Sequence, residues 1–221
     1  MKRILIIWTI LSFSFTSNAE YRPLELYEMI IKAEKIVYGT IIELDSSSFT
    51  LNIEGSLTSD TGIIKVGRFS DWSCASRWTK YKVGQRLFLF LTAWNGEFIS
   101  MSGGNEGEHP ILNNSIYIHG FTIPIPPPPP PSGKTWSGGI FYFETEHYDI
   151  YGGEYFGIQW NLNKFIEAVS FIRNCFDFTY GRYHNPTNWQ IKCDNSELER
   201  MSKKSKFVNW VNNESTKKYE R

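Results

Sequence analysis

The chain has 221 residues, with 23 lysines and arginines balanced by 23 aspartates and glutamates. A net charge of zero gives no electrostatic footprint for nucleic acid. Aromatic residues make up 16% of the chain, and they are clustered.

The first residues read as an export leader. Lys2 and Arg3 form a positive start, and Ile4 to Phe15 form an apolar stretch short for a bilayer span. Ser17 and Ala19 take the small-residue positions of a cleavage site. The expected signal peptide is therefore 1–19, cut after Ala19, with the mature protein secreted or periplasmic. Loss of Lys2 and Arg3 moves the mature chain two charges to the acidic side. No later run is apolar and long enough to suggest a membrane span.

Pro23 opens a helical pattern, with Leu24, Tyr27, Ile30 and Ile31 on one face. AEKIVYGTIIEL follows as a strand, and Gly39 inside it predicts a bulge or strong bend. Phe49, Leu51 and Ile53 alternate with polar residues as a second, half-buried strand. Gly62 to Phe69 reads as a third. Ser70 to Thr92 then runs through an aromatic segment carrying Cys74, expected as a short helix or loop. It turns at Gly84 and enters Leu87 to Leu91, an apolar strand that should be covered on both faces. Asn95-Gly96 predicts a hairpin into a fifth strand, Glu97 to Met101. Ser102 to Pro110 reads as a glycine-rich acidic loop, and Asn113 to Ile118 as a last edge strand.

Five short meandering strands suit a small Greek-key barrel. The runs AEKIVYGTIIEL, DWSCASRWTKYKVGQRLFLFL and NGEFISMSGGNEGE resemble the OB-fold of the netrin-like group, which includes the tissue inhibitors of metalloproteinases. They are closer still to secreted bacterial proteins with that barrel. The resemblance spans Leu24 to Ile118 and implies a fold. Those inhibitors offer a cysteine at the mature N-terminus to the protease zinc. Here the mature start is Glu20-Tyr21-Arg22 and the nearest cysteine is Cys74, so the inhibitory group is missing.

The run Ile123 to Pro131 holds six consecutive prolines and reads as a polyproline II spacer or loop. Trp136 to Trp160 is the most aromatic stretch, expected as a hairpin with turns at Gly138-Gly139 and Gly152-Gly153. Asn161 or Asn163 caps a helix whose apolar face is Phe165, Ile166, Val169 and Ile172. The segment from Cys175 to Cys193 reads as a polar loop. A last helix is expected from Ser196, with Glu199 closing a capping box and Leu198, Met201, Val208 and Val211 facing inward.

Three cysteines in an exported chain allow one disulfide. Cys175 with Cys193 is the shortest closure, leaving Cys74 as a free thiol; Cys74 with either of the others is the alternative. Gly133-Lys134-Thr135 resembles the end of a phosphate-binding loop, but Pro128 stands where that loop needs glycine. No Gly-x-Ser-x-Gly or His-Glu-x-x-His motif is present. The four histidines are scattered and expected at the surface. Glu106, Glu108 and His109 are the weak candidates for a divalent cation, on the reading that their loop supplies oxygen and nitrogen ligands. The bland alternative has the glycines making turns and the carboxylates accepting backbone hydrogen bonds.

The expected fold is mainly β with C-terminal helices: a five-stranded OB-like barrel over 20–120, a proline-rich spacer or loop over 121–135, and an aromatic hairpin with a helical extension over 136–221. The expected function is a non-enzymatic interaction module with no cofactor, whose partner is an extracellular or envelope protein or glycan. Trp136, Tyr142, Tyr148 and Tyr151 are its candidate binding rings, because a row of exposed aromatics marks a binding surface. The alternatives are a glycan-binding module using the 136–160 hairpin, or a metal-dependent hydrolase using Glu106, Glu108 and His109.

Overall fold

A computed structural model describes residues 22–103, 105–124, 143–181 and 184–217. The expected leader, most of the proline run, the turn at Gly138-Gly139, Trp136 and Tyr142 lie outside the described residues.

Five strands close a barrel: β1 (Lys35–Leu44), β2 (Ser48–Ser56), β3 (Ile63–Gly67), β4 (Arg86–Trp94) and β5 (Glu97–Ser100). They follow the order β1-β2-β3-β5-β4, and β4 pairs back onto β1. The β3–β5 pair is parallel and the others are antiparallel. This is the expected OB-like barrel. Its interior is filled by Val37, Ile41, Phe49, Leu51, Val66, Leu87, Leu89 and Leu91. Gly39 sits at a shift of register between β1 and β2, where a Cβ would stand 2.0 Å from the carbonyl oxygen of Asn52. Only glycine permits that approach, so the bend that helps close the barrel is written into the sequence.

β4 is covered on both faces, as its unbroken apolar run requires. Leu87, Leu89 and Leu91 point into the barrel, while Phe88 and Phe90 point outward into a second, larger core. Helix α1 (Leu26–Lys32) lays Tyr27 and Ile30 on that outer face, and α2 (Leu162–Cys175) adds Phe165, Val169 and Ile172. The Asn161 side chain caps α2 by accepting from the Lys164 N–H at 3.1 Å.

Beyond the barrel the same sheet continues through β6 (Glu108–Leu112), β7 (Ser115–His119), β9 (Gly153–Asn161) and β8 (Glu146–Ile150). The acidic loop expected over Ser102 to Pro110 therefore ends early, because Glu108 to Pro110 are already strand. The reason is visible along β4. Leu91 pairs with Ser100 of β5, and Leu89 pairs with Glu108 of β6. β5 and β6 thus run along one edge of β4, and residues 101–107 form an excursion opposite Phe90 alone. Hydrogen bonds from Met101 N–H to the Phe90 carbonyl and from Phe90 N–H to the Gly107 carbonyl, both 2.9 Å, pin its two ends. A Cβ on Gly107 would lie 2.8 Å from the Met101 nitrogen, so the ends can close only around glycine.

On either side of the proline run, Ile123 and Phe143 enter the same core, and β7 pairs directly with β9. The hairpin β8–β9 turns at Tyr151-Gly152, both at positive φ.

Cys175 at the end of α2 is bonded to Cys193, the expected pair, and Cys74 is free and exposed. The segment between the bonded cysteines is not the loop expected. It forms a hairpin, β10 (Phe176–Tyr180) with β11 (Pro186–Ile191). Phe176 and Phe178 alternate inward, where both rings meet Trp189. The last expected helix is two, α3 (Asn195–Lys204) and α4 (Lys206–Thr216), broken at Ser205. Asp194 rather than Ser196 caps the first, accepting from the Ser196 N–H at 2.7 Å. Leu198, Met201, Val208 and Val211 are buried as expected.

Candidate ligand cleft beside the barrel

Residues 70–78 link β3 toward β4 without forming a helix. Trp72 and Ala75 exchange two backbone hydrogen bonds, 2.9 and 3.2 Å, which makes a tight turn with Ser73 and Cys74 at its tip. The Trp72 indole N–H donates to the Gly103 carbonyl at 2.8 Å and ties this turn to the excursion.

Below the turn lies a buried polar network. Glu108 is fully buried; one of its oxygens accepts from Arg77 Nε at 2.9 Å and the other from the Tyr81 hydroxyl at 2.6 Å. The Arg77 guanidinium is sandwiched 4.0 Å from the Trp78 ring centre and 3.8 Å from that of Tyr81. It also donates to the Thr79 carbonyl and to Gln85 Oε1. Burial, then the negative charge of Glu108, raises the Tyr81 hydroxyl far above its ordinary range, so it stays a donor.

The three candidate metal ligands are placed accordingly. Adjacent strand residues face opposite sides of a sheet. Glu108 stands opposite Leu89 on the barrel side, committed to Arg77 and Tyr81, and His109 stands opposite Phe88 on the other. His109 is not at the surface as expected but fully buried, with Nδ1 3.3 Å from the Tyr155 hydroxyl. Burial first, and then the charge of His119, pulls its pKa down to about 3, so it is neutral. Glu106 lies in the excursion and is also buried. Among the described residues, no three His, Cys, Asp or Glu side chains are grouped to hold a metal ion.

Of the candidate binding rings, Tyr148 packs edge-on against Tyr117 at 5.0 Å. Tyr151 is held by its hydroxyl, which donates to the Ile111 carbonyl at 2.6 Å and accepts from the Arg86 N–H at 3.0 Å. Both rings are half-buried and serve the seam between hairpin and sheet.

What residue-by-residue inspection of the sequence does not find is a cleft of about 430 Å³ between five segments, one of them Pro23 ahead of α1. The turn at 74–78 gives Cys74 and Trp78, and the excursion gives Asn105 and Glu106. The end of β7 gives His119, the 3-10 turn after it gives Phe121, and the start of β9 gives Glu154, Tyr155 and Phe156. Phe121 is 63% exposed, 6.1 Å from the Phe156 ring and 5.0 Å from that of His119. Tyr155 meets Trp78 edge-on at 5.3 Å. The Asn105 amide nitrogen is buried and makes no hydrogen bond within the described protein. His119 Nδ1 accepts from the Phe121 N–H at 3.3 Å, which leaves the proton of the neutral ring on Nε2. Burial lowers His119 to about 4, so that neutral form prevails near pH 7.

The cleft thus presents aromatic faces with a few polar groups among them, the common make-up of a small-ligand site. Comparison of the chain with protein-family models, with curated proteins and with solved structures finds no match, which leaves this geometry as the basis for a functional assignment.

Proposed function

We propose that the chain is an exported, non-enzymatic binding module that holds its ligand in the cleft between the barrel and the β8–β9 hairpin. The observation that carries this is the cleft itself: an opening of about 430 Å³ with the exposed Phe121 ring at its rim. An isolated exposed ring is ordinary, but one set over a preformed cavity beside other aromatics is a binding feature. Two of the three groups that would serve a hydrolase are committed elsewhere. Both Glu108 oxygens are taken, and His109 is buried and neutral. The leader expected at 1–19 and the Cys175–Cys193 disulfide support a partner outside the cytoplasm.

The test is retention of partners from the envelope or medium fraction by the mature protein, compared with Phe121→Asp. Because the Phe121 ring is mostly exposed, its replacement should leave the melting temperature nearly unchanged. Loss of a retained partner in this variant supports the assignment. Equal retention by both proteins places binding elsewhere and overturns it.

A further inference from the structure

We propose that the cleft takes a neutral sugar ring bearing an acetamido group, with the acetamido carbonyl seated on the Asn105 side chain and the apolar face of the ring laid on Phe121. This rests on the assignment of the cleft as the binding site and names what it takes.

The Asn105 side chain is 4% exposed, and its amide nitrogen makes no hydrogen bond within the described protein. A buried donor left without an acceptor is costly, so a guest that brings an oxygen to it recovers that cost on binding. Trp78 Nε1, in another lining residue, is a second buried donor without a partner. The neutral His119 ring adds a third donor at Nε2, since its Nδ1 accepts from the Phe121 N–H. These groups call for a guest that carries acceptors. No lysine or arginine among the described residues lines the cleft, so a carboxylate or phosphate guest would shed its water with no counter-charge to meet it. Glu154 is held by His147 at 2.6 Å and Glu106 has an interaction of its own, so recognition does not depend on either carboxylate. That leaves a neutral acceptor, a carbonyl or hydroxyl oxygen. An acetamido group is the best complement of a carboxamide side chain: its carbonyl accepts from Nδ2, and its own N–H finds an acceptor in the carboxamide oxygen. The rim sets what carries that group. Phe121 is mostly exposed, and the His119 ring, 5.0 Å away and tilted by 34°, widens the flat surface it offers. The half-buried Phe156 bounds this surface, its ring 6.1 Å from that of Phe121. A pyranose has a flat, apolar C–H face with hydroxyls at its edge. That face lies on the aromatic surface while the hydroxyls stay in water or meet the donors of the wall.

Calorimetric titration of the full mature protein tests this. The probes are N-acetylglucosamine, N-acetylgalactosamine and di-N-acetylchitobiose. Glucose, galactose and cellobiose are the counterparts lacking the acetamido group, and N-acetylalanine methylamide is the amide without a sugar. At least one N-acetylated sugar should bind, and its counterpart should bind about tenfold more weakly or worse, the effect of about one hydrogen bond to a buried donor. Added salt should leave the affinity unchanged, because the guest is uncharged. Asn105→Leu keeps the bulk and removes the amide, so it should erase the preference for the N-acetylated member of each pair. Phe121→Leu should weaken every sugar several-fold while keeping that preference. Tighter binding of the disaccharide than of the monosaccharides assigns the source to a glycan chain; equal binding assigns it to a single sugar. If a counterpart binds as well as its N-acetylated partner, the acetamido sugar assignment falls while the cleft remains a binding site. If N-acetylalanine methylamide binds as well as the sugars, the assignment falls in favour of a peptide. If no probe binds, the sugar assignment falls, and Phe121→Asp decides the cleft: lost partner retention keeps it as the binding site, and intact retention removes it as well. Circular dichroism of each variant separates lost binding from lost folding, and Asn105→Ala supplies a second variant without the amide should Asn105→Leu fail to fold.

Discussion

Arg77→Met tests whether the charges beneath the cleft are held by one another. The methionine keeps much of the apolar volume between Trp78 and Tyr81 but removes the guanidinium. Glu108, with no exposed surface, then keeps only the Tyr81 hydroxyl as a partner. Breaking a buried pair by deleting one member costs about 3–5 kcal/mol, because an uncompensated charge stays inside. Gln85 also loses the donor to its Oε1, which adds about 1 kcal/mol. Against a total stability of about 5–15 kcal/mol, this is a large fraction. The double variant Arg77→Met/Glu108→Leu removes both charges and should return to within about 1–2 kcal/mol of the wild type. Urea titration followed by tryptophan fluorescence measures all four corners of the cycle, with the slope of free energy on urea as the check on two-state unfolding. A single variant losing less than about 1 kcal/mol would show that the pair is not desolvated. A double variant as unstable as the single one would show that the stacking of the guanidinium on the two rings, and not its charge, is what matters.

Two further outcomes are expected. Cys193→Ser should lose about 3 kcal/mol on the chain-entropy account of an 18-residue separation, while Cys74→Ser should be nearly neutral; thermal melts read both, and a Cys74-containing crosslinked peptide in non-reducing mapping would refute the pairing. In acid, His109 and Glu25 should act in opposite senses. The folded His109 has a pKa of about 3, below that of the unfolded chain, so it is stabilising at neutral pH and that contribution is lost as pH falls below about 6.5. Glu25 is raised to about 7, first by burial and then by Glu214 and Glu28, so its penalty is felt at neutral pH and relieved by acid. Between about pH 5 and 6, His109→Gln should therefore flatten the fall of stability with acid by about 1.4 kcal/mol per pH unit, whatever its baseline cost, and Glu25→Gln should steepen it by a similar amount. Slopes parallel to that of the wild type would contradict both assignments.

The barrel was legible because its signals are local. Alternation in Phe49 to Ile53, the Asn95-Gly96 turn, Gly39 within a strand and the unbroken run at Leu87 to Leu91 each need only neighbouring residues to be understood. The hairpin inside the disulfide was equally local, in the alternation of Phe176, Phe178 and Tyr180, but the polar residues around it masked the pattern. The cleft is different in kind. Its walls come from Pro23 and four further segments that are each a turn or strand end, and turns are polar for reasons unconnected with ligands. Glu106, Glu108 and His109 stand together in the sequence and suggest one site, yet the structure divides them among the cleft, the barrel side of the sheet and its other face. The cause is the excursion at 101–107. Composition makes it look as though the strand ends at Ser100 and a loop runs to Pro110. The edge of β4 still needs hydrogen-bond partners beyond Phe90, and Glu108 to Leu112 supply them. A signal for this does exist: Ile111 and Ile116 flank Asn113-Asn114, a turn pair that predicts a hairpin and so a strand before it. Once that strand is placed, an alternating side chain must point into the core, and a buried glutamate there demands a cation. Arg77 is that cation. Glu108 holds it through Nε, which ties the segment before β4 to the barrel side of β6.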